Sequence, residues 1–477
     1  MRRVLVTGAR AVLLAGPTAI AFFTGGYFDG PREVAGVLAW LLVAVALVAA
    51  PRPLPRGTGG RLALAGLALL ALWTLLSSTW APIAGTAYHY GQRVVMYAGV
   101  LLAASALLRG RAPLRAVVPA LAGGTLIVIG YGISERLLPG VLHFSRSVSA
   151  QGRLEQPLTY WNAMGELAAL GFVLCAALAG DRSRPRWMRS GAAAAAVPLG
   201  MGLYISFSRG SLFACAAGLV ALFVLVRRRE QLAALAVCLG AGVLGSVAAA
   251  PFKGVTSLSG SLSTREGQGA VVFVLLVVIA AAAALAMARV DARVAGGELR
   301  LHPRAGWIAL AVICAGLALA IVVGAKEGAG SPNGAGAARL ASLQSNRYAY
   351  WGVAFRAFGD EPLRGVGAGG WSVYWLRYRH ISEFAQDAHS LPLQTLAELG
   401  IVGFALLLAF VGGVGWSASD ARRISPVLAG GPIAGLVTYL AHAPLDWDWE
   451  MPAVTLVALV LAGSVLGLAE LARPNGR

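Results

Sequence analysis

Three side chains in this sequence have the type and setting to hold or activate a negatively charged reactant: Arg209, Arg364 and His389. Arg209 opens an apolar run. A helix N-terminus there offers free N–H groups and a positive dipole end, which together form an anion site. Arg364 lies in a Gly-rich turn, EPLRGVGAGGW at 361–371. Guanidinium is planar, always charged and forked to match phosphate oxygens. His389 precedes Ser390, a fitting N-cap, and Pro392, a first-turn proline. A helix start favours the neutral imidazole, the form that accepts a proton near pH 7. Cations for a departing anion and a base for an incoming hydroxyl make up a displacement centre. A further cation comes from Arg347 or Arg356, nine residues apart on one helical segment. At 100° per residue they point to opposite sides, so at most one faces a common site. Asp387 is placed to orient His389, and Glu398, further along the same run, reads as structural or supporting.

The elements that position these residues are membrane spans. Hydrophobic residues make up 58% of the 477, and only 13% are charged. A soluble chain of this length needs far more polar surface to cover itself. About 20 apolar residues cross a bilayer, and the runs predict an all-α polytopic integral membrane protein of about 12–14 spans. The division is residues 1–324 as a first membrane region of eleven spans, 325–390 as an extracytoplasmic loop, and 391–477 as the last three spans. Arginines crowd alternate gaps, at Arg52/Arg56/Arg61, Arg109/Arg111/Arg115, Arg182/Arg184/Arg186/Arg189, Arg227/Arg228/Arg229 and Arg422/Arg423. The positive-inside bias then sets both termini in the cytoplasm, with the chain in the cytoplasmic membrane. The net charge of +18 is thus a topology signal. A nucleic-acid partner would instead require basic residues gathered on one binding module.

The 325–390 loop is far longer than an ordinary connection. It begins with a Gly/Ala-rich linker. NRYAYWGVAFRAF at 346–358 then places Tyr348, Trp351, Phe355 and Phe358 on one helical face, as suits a helix lying in the headgroup layer. DAHSLPLQTLAELGIVG at 387–403 runs from the loop into the next span.

The order SFSRGSLFACAAGLV (206–220), NRYAYWGVAFRAFGDEPLRGVGAGG (346–370) and AHSLPLQTLAELGIVG (388–403) resembles the O-antigen ligase and polymerase superfamily. PLTYWNAMGELAAL (157–170) and PLDWDWEMP (444–452) resemble members from high-GC Gram-positive bacteria. The resemblance implies transfer of a glycan from a polyprenyl diphosphate carrier to an acceptor glycan, lipid or protein outside the cytoplasmic membrane. It implies no cofactor and no metal. It also favours Arg347 over Arg356, and it gives Arg209 and Arg347, with Arg364 as the weaker third, to the diphosphate. His389 then activates the acceptor hydroxyl in an inverting displacement. Negative charge grows on the leaving diphosphate, and preorganised arginines are suited to meet it.

Within enzymes, the alternative is a polymerase joining lipid-linked repeat units. A lipid or polysaccharide transporter would require half-repeats with discontinuous helices, and a scaffold would use none of these residues. No GxxxxGK[ST] loop is present, which excludes NTP hydrolysis by that route. Cys175, Cys215, Cys238 and Cys314 lack paired spacing and read as small buried hydrophobes. The DWDWE cluster at 446–450, near His442, is read as binding acceptor or pairing with the loop's arginines. Tyr88, His89 and Tyr90 are candidate sugar contacts, and Arg146 and Arg153 are reserve phosphate ligands.

Overall fold

The computed structural model describes residues 2–50, 53–294 and 344–472, with scattered residues between 297 and 341. Most of the expected eleventh span at 305–324, and most of the Gly/Ala-rich linker, lie outside the described residues. Among the described residues ten helices of 17 residues or more precede the long loop, with a single turn at Lys253–Thr256 before the last of them: α1 (Arg2–Ala21), α2 (Asp29–Ala49), α3 (Thr58–Leu76), α4 (Ala84–Leu107), α5 (Arg111–Leu137), α6 (Trp161–Gly180), α7 (Arg186–Ile205), α8 (Arg209–Leu225), α9 (Arg229–Ala249) and α10 (Leu262–Arg293). The loop contributes α11 (Arg347–Asp360) and α12 (Gly370–Tyr378). Then follow α13 (Leu391–Ile424), α14 (Pro426–His442) and α15 (Pro452–Ala469).

Among the described residues nine helices are long and apolar enough to cross a membrane, and α8 is a shorter apolar helix. The protein is an all-α polytopic membrane protein. α4, α7 and α14 stand where three further spans were expected. Burial separates the helices by role. α15 is buried along its whole apolar window and α6 along 94% of it, whereas α10 is 22% buried. α6 and α15 are therefore the central posts, and α10 keeps an apolar exterior suited to lipid. Small residues let the backbones close in, with Gly463 of α15 against Ala104 of α4 and Gly413 of α13 against Ala63 of α3. Cys175, Cys215 and Cys238 are buried, but Cys314 is exposed. Ile308 and Val312 are exposed too.

Arginine-rich ends gather on one side of the bundle. Arg2 Nε donates to the Ala49 carbonyl at 2.9 Å, Arg10 Nε to that of Leu107 at 2.7 Å, and the Arg56 amide to Glu470 at 3.0 Å. The start of α1 and the ends of α2, α4 and α15 therefore lie together. The long loop sits on the opposite end. There α11 and α12 rest on the start of α13 through a second apolar cluster in which Trp371 and Trp375 stack at 5.6 Å and Tyr350 stands edge-on to Trp375 at 4.9 Å. Tyr350 faces inward, Phe355 is exposed, and Tyr348, Trp351 and Phe358 are half-buried on the outer side of α11.

One backbone device fixes the loop to the span. α13 is interrupted at Gly400, where φ is 64°, and the Gly-rich turn crosses at that break. The Val366 amide donates to the Ala397 carbonyl at 3.0 Å, Gly367 to Glu398 at 2.8 Å and Ile401 to Pro362 at 2.9 Å. Gly365, also at positive φ, would place a Cβ 2.3 Å from the Glu398 carbonyl carbon, and Gly400 would place one 2.3 Å from the Leu363 oxygen. Both positions require glycine for conformation and for space. Gly400→Ala should destabilise the protein by about 1–3 kcal/mol, measured by denaturant titration of the purified protein in detergent. Wild-type stability would show that the break is not constrained.

Candidate functional site

At the loop-bearing end, one carboxylate ties three distant segments together. Asp446 is fully buried in the turn between α14 and α15. Its Oδ2 accepts from Arg347 Nη2 at 2.5 Å, and its Oδ1 lies 2.9 Å from His389 Nδ1. Tyr160 donates its hydroxyl to the same Oδ1 at 2.8 Å, and Asn162 donates to Tyr160 at 2.7 Å. Burial alone would raise the Asp446 carboxyl. Arg347 and His389 overcome that and hold it below the usual carboxylate range. Burial likewise opposes charge on Arg347, and Asp446 keeps the guanidinium charged.

The base candidate is placed by local strain. His389 sits at φ 52°, a left-handed backbone for a non-glycine residue. Such positions persist when surrounding contacts over-determine them. Tyr350 stacks on the imidazole at 5.2 Å, Trp447 meets it edge-on at 6.0 Å, and the next strut along, the Leu391 amide, donates to the Ala443 carbonyl at 2.9 Å. Ser390 takes the N-cap position of α13 but its side chain makes no cap bond, and Pro392 lies in the first turn.

Arg209 is fixed from below. Ser208 caps α8 by accepting from the Ser211 amide at 3.3 Å, and Ser211 Oγ lies 3.2 Å from Nε2 of the buried His442. Gly210 packs so closely that a Cβ would stand 3.0 Å from that imidazole. The other His442 nitrogen, Nδ1, is 2.5 Å from Asp448. SxSRGS is thus a helix start seated on a histidine, with Arg209 as its first residue. Arg209 Nη2 donates to the Gln344 carbonyl at 2.9 Å, three residues ahead of Arg347. Arg209 and Arg347 therefore rise beside the same short stretch of loop.

The remaining candidates separate. Asp387 does not orient His389. Its Oδ1 accepts from Tyr90 at 3.1 Å and from Gln394 at 2.9 Å, because the carboxylate turns toward α4 while the left-handed residue at 389 sends the ring toward Asp446. Arg364 pairs with Glu361 at 3.3 Å, half-exposed, on the outer side of the Gly-rich turn and 5.8 Å from the Trp80 ring. Arg356 lies over the Tyr378 ring at 3.8 Å, on the side of α11 away from Arg347. Glu398 is buried and accepts from the Trp371 amide at 3.4 Å, which makes it a brace for the Gly-rich turn. Arg146 pairs with Glu135 at 2.6 Å, and Arg153 covers the Trp161 ring at 3.6 Å.

Residues 262–408 match the family model described as O-antigen ligase. The match is in keeping with the superfamily resemblance carried by the motifs. The segment contains Arg347, Arg364, Asp387, His389 and Glu398, while Arg209 before it and Asp446 beyond it complete the cluster. No curated protein matches the chain. Asp446 lies 57 residues from His389 and 99 from Arg347, and only the expectation that DWDWE pairs with the loop's arginines pointed to it. Asp446→Asn should leave the protein folded and lower kcat by on the order of 10²–10⁴, since the amide neither matches Arg347 nor fixes the imidazole tautomer. Turnover near wild type would remove Asp446 from the machinery.

Proposed function

We propose that this membrane enzyme of the O-antigen ligase and polymerase type transfers a glycan from a polyprenyl diphosphate carrier to an acceptor at the outer face of the bacterial cytoplasmic membrane. The observation that supports this reading is the shared Asp446 carboxylate, with Arg347 on one oxygen and His389 on the other. An ionised carboxylate only accepts hydrogen bonds, so the neutral imidazole donates through Nδ1 and keeps its lone pair on Nε2.

The acceptor hydroxyl gives its proton to His389 Nε2 as its oxygen bonds to the anomeric carbon from the side opposite the carrier. The bond from that carbon to the diphosphate breaks, and the electron pair leaves on the diphosphate. Configuration inverts. Arg209, at the head of α8, and Arg347 meet the charge that develops. The helix start adds free N–H groups to the same anion site. The arginine-rich opposite end, set inside by the positive-inside bias, supports an outward-facing site.

The test is turnover of a labelled polyprenyl diphosphate glycan by purified protein, with and without EDTA. Arg209→Ala and Arg347→Ala should each lower the rate by on the order of 10²–10³, and His389→Ala should lose transfer. A nearly unchanged rate for Arg209→Ala would reject its role, and turnover that stops on chelation would overturn the metal-free mechanism. A ladder growing on the carrier identifies a polymerase, and movement of the glycan to a different molecule identifies a ligase.

A further inference from the structure

A polar cavity opens at the same end, beside Tyr27, which packs on Trp447. It has a volume of about 380 Å³ and is lined by Tyr27, Asp29, Arg32, His89, Tyr90 and Gln386, among others. Tyr27 closes it by donating to the Gln386 side chain at 2.7 Å, and Gln386 belongs to the loop that carries His389. Trp447 is the partition. Its ring is 5.3 Å from Tyr27, 6.0 Å from His389 and 4.6 Å from Tyr160. The Tyr160 side carries Arg347, paired with Asp446, and Arg209. On the Tyr27 side each guanidinium has its own carboxylate: Arg32 pairs with Asp29, and Arg93 with Glu450 at 2.5 Å. Both arginines keep donors to spare. Among the described residues Nε of Arg32 and Nε of Arg93 have no hydrogen-bond partner, although the residues are only 6% and 2% exposed.

We infer that the Tyr27–Gln386 cavity is the acceptor's saccharide subsite, holding a neutral sugar unit whose hydroxyl reaches His389 past Trp447; this rests on the transfer reading above. A sugar ring presents hydroxyls that both donate and accept and a C–H face that lies on an aromatic ring. The cavity matches that with the half-exposed Asp29 carboxylate, the Gln386 amide, spare guanidinium donors and the Tyr27 and Phe28 rings. With Arg32 and Arg93 each matched by a carboxylate, the cavity suits a neutral ring better than a second diphosphate.

The experiment is hydrogen exchange on the full chain in lipid nanodiscs, with two probes: a mixture of neutral dextran, mannan and galactan fragments, and inorganic pyrophosphate. The saccharides should protect backbone amides at 27–32 and 384–387, and pyrophosphate should protect 208–212 and 344–348. Gln386→Ala and, as a variant that keeps the ring, Tyr27→Phe should raise the saccharide concentration for half-protection by about tenfold, with unchanged melting temperature. Saccharides that leave 27–32 unprotected, or pyrophosphate that protects 27–32 instead, would overturn the subsite. Pyrophosphate that fails at 208–212 counts against the transfer reading and leaves the saccharide result standing.

Discussion

A buried carboxylate costs several kcal/mol unless it is matched by charge and hydrogen bonds, and the architecture at the loop-bearing end exists to match one. Asp446 draws Arg347 from the loop, His389 from the entry to α13 and Tyr160 from the entry to α6. None of these segments is held to the others by local sequence. Removing the carboxylate would leave a buried guanidinium without its counter-ion and an imidazole without its tether. The same contact therefore orders the loop and aims the proposed base, so the local structure and the proposed chemistry rest on a single interaction.

The second layer repeats this arrangement deeper in the bundle. His442 is wholly buried, with Asp448 on one nitrogen and Ser211 on the other. Asp446 and Asp448 alternate along one short turn, so one faces the loop and the other faces α8. The turn between α14 and α15 thereby sets the height of Arg209 relative to Arg347. Arg93 and Glu450 extend the pattern to α4. Asp446 thus serves the entries to α6, α11 and α13, Asp448 that of α8 through His442, and Glu450 the body of α4.

Much of the helical framework was legible because hydrocarbon thickness fixes span length and charge marks the gaps. The opposition of Arg347 and Arg356 was legible because 100° per residue settles it without any knowledge of the partners. Other features were hidden for physical reasons. The choice between Asp387 and Asp446 depends on the left-handed backbone at His389, which no spacing rule reveals. Arg364 was drawn toward the site by its glycines, whereas those glycines serve a backbone crossing at Gly400 that points the arginine outward. The aromatic stripe of α11 was visible as a period, but its buried counterpart, Tyr350, was not, because its partners Trp371 and Trp375 arrive from another helix.

The burial of α15 has a consequence for how the protein is made. Helices enter a membrane in the order of synthesis, yet the post that every neighbour leans on is the last of those labelled. The earlier helices must wait as an unclosed ring, held by their own small-residue seams, until that post is admitted. Asp446 arrives with it, at the post's loop-bearing end. A half-assembled chain consequently holds the Arg347 and His389 segments without the carboxylate that joins them.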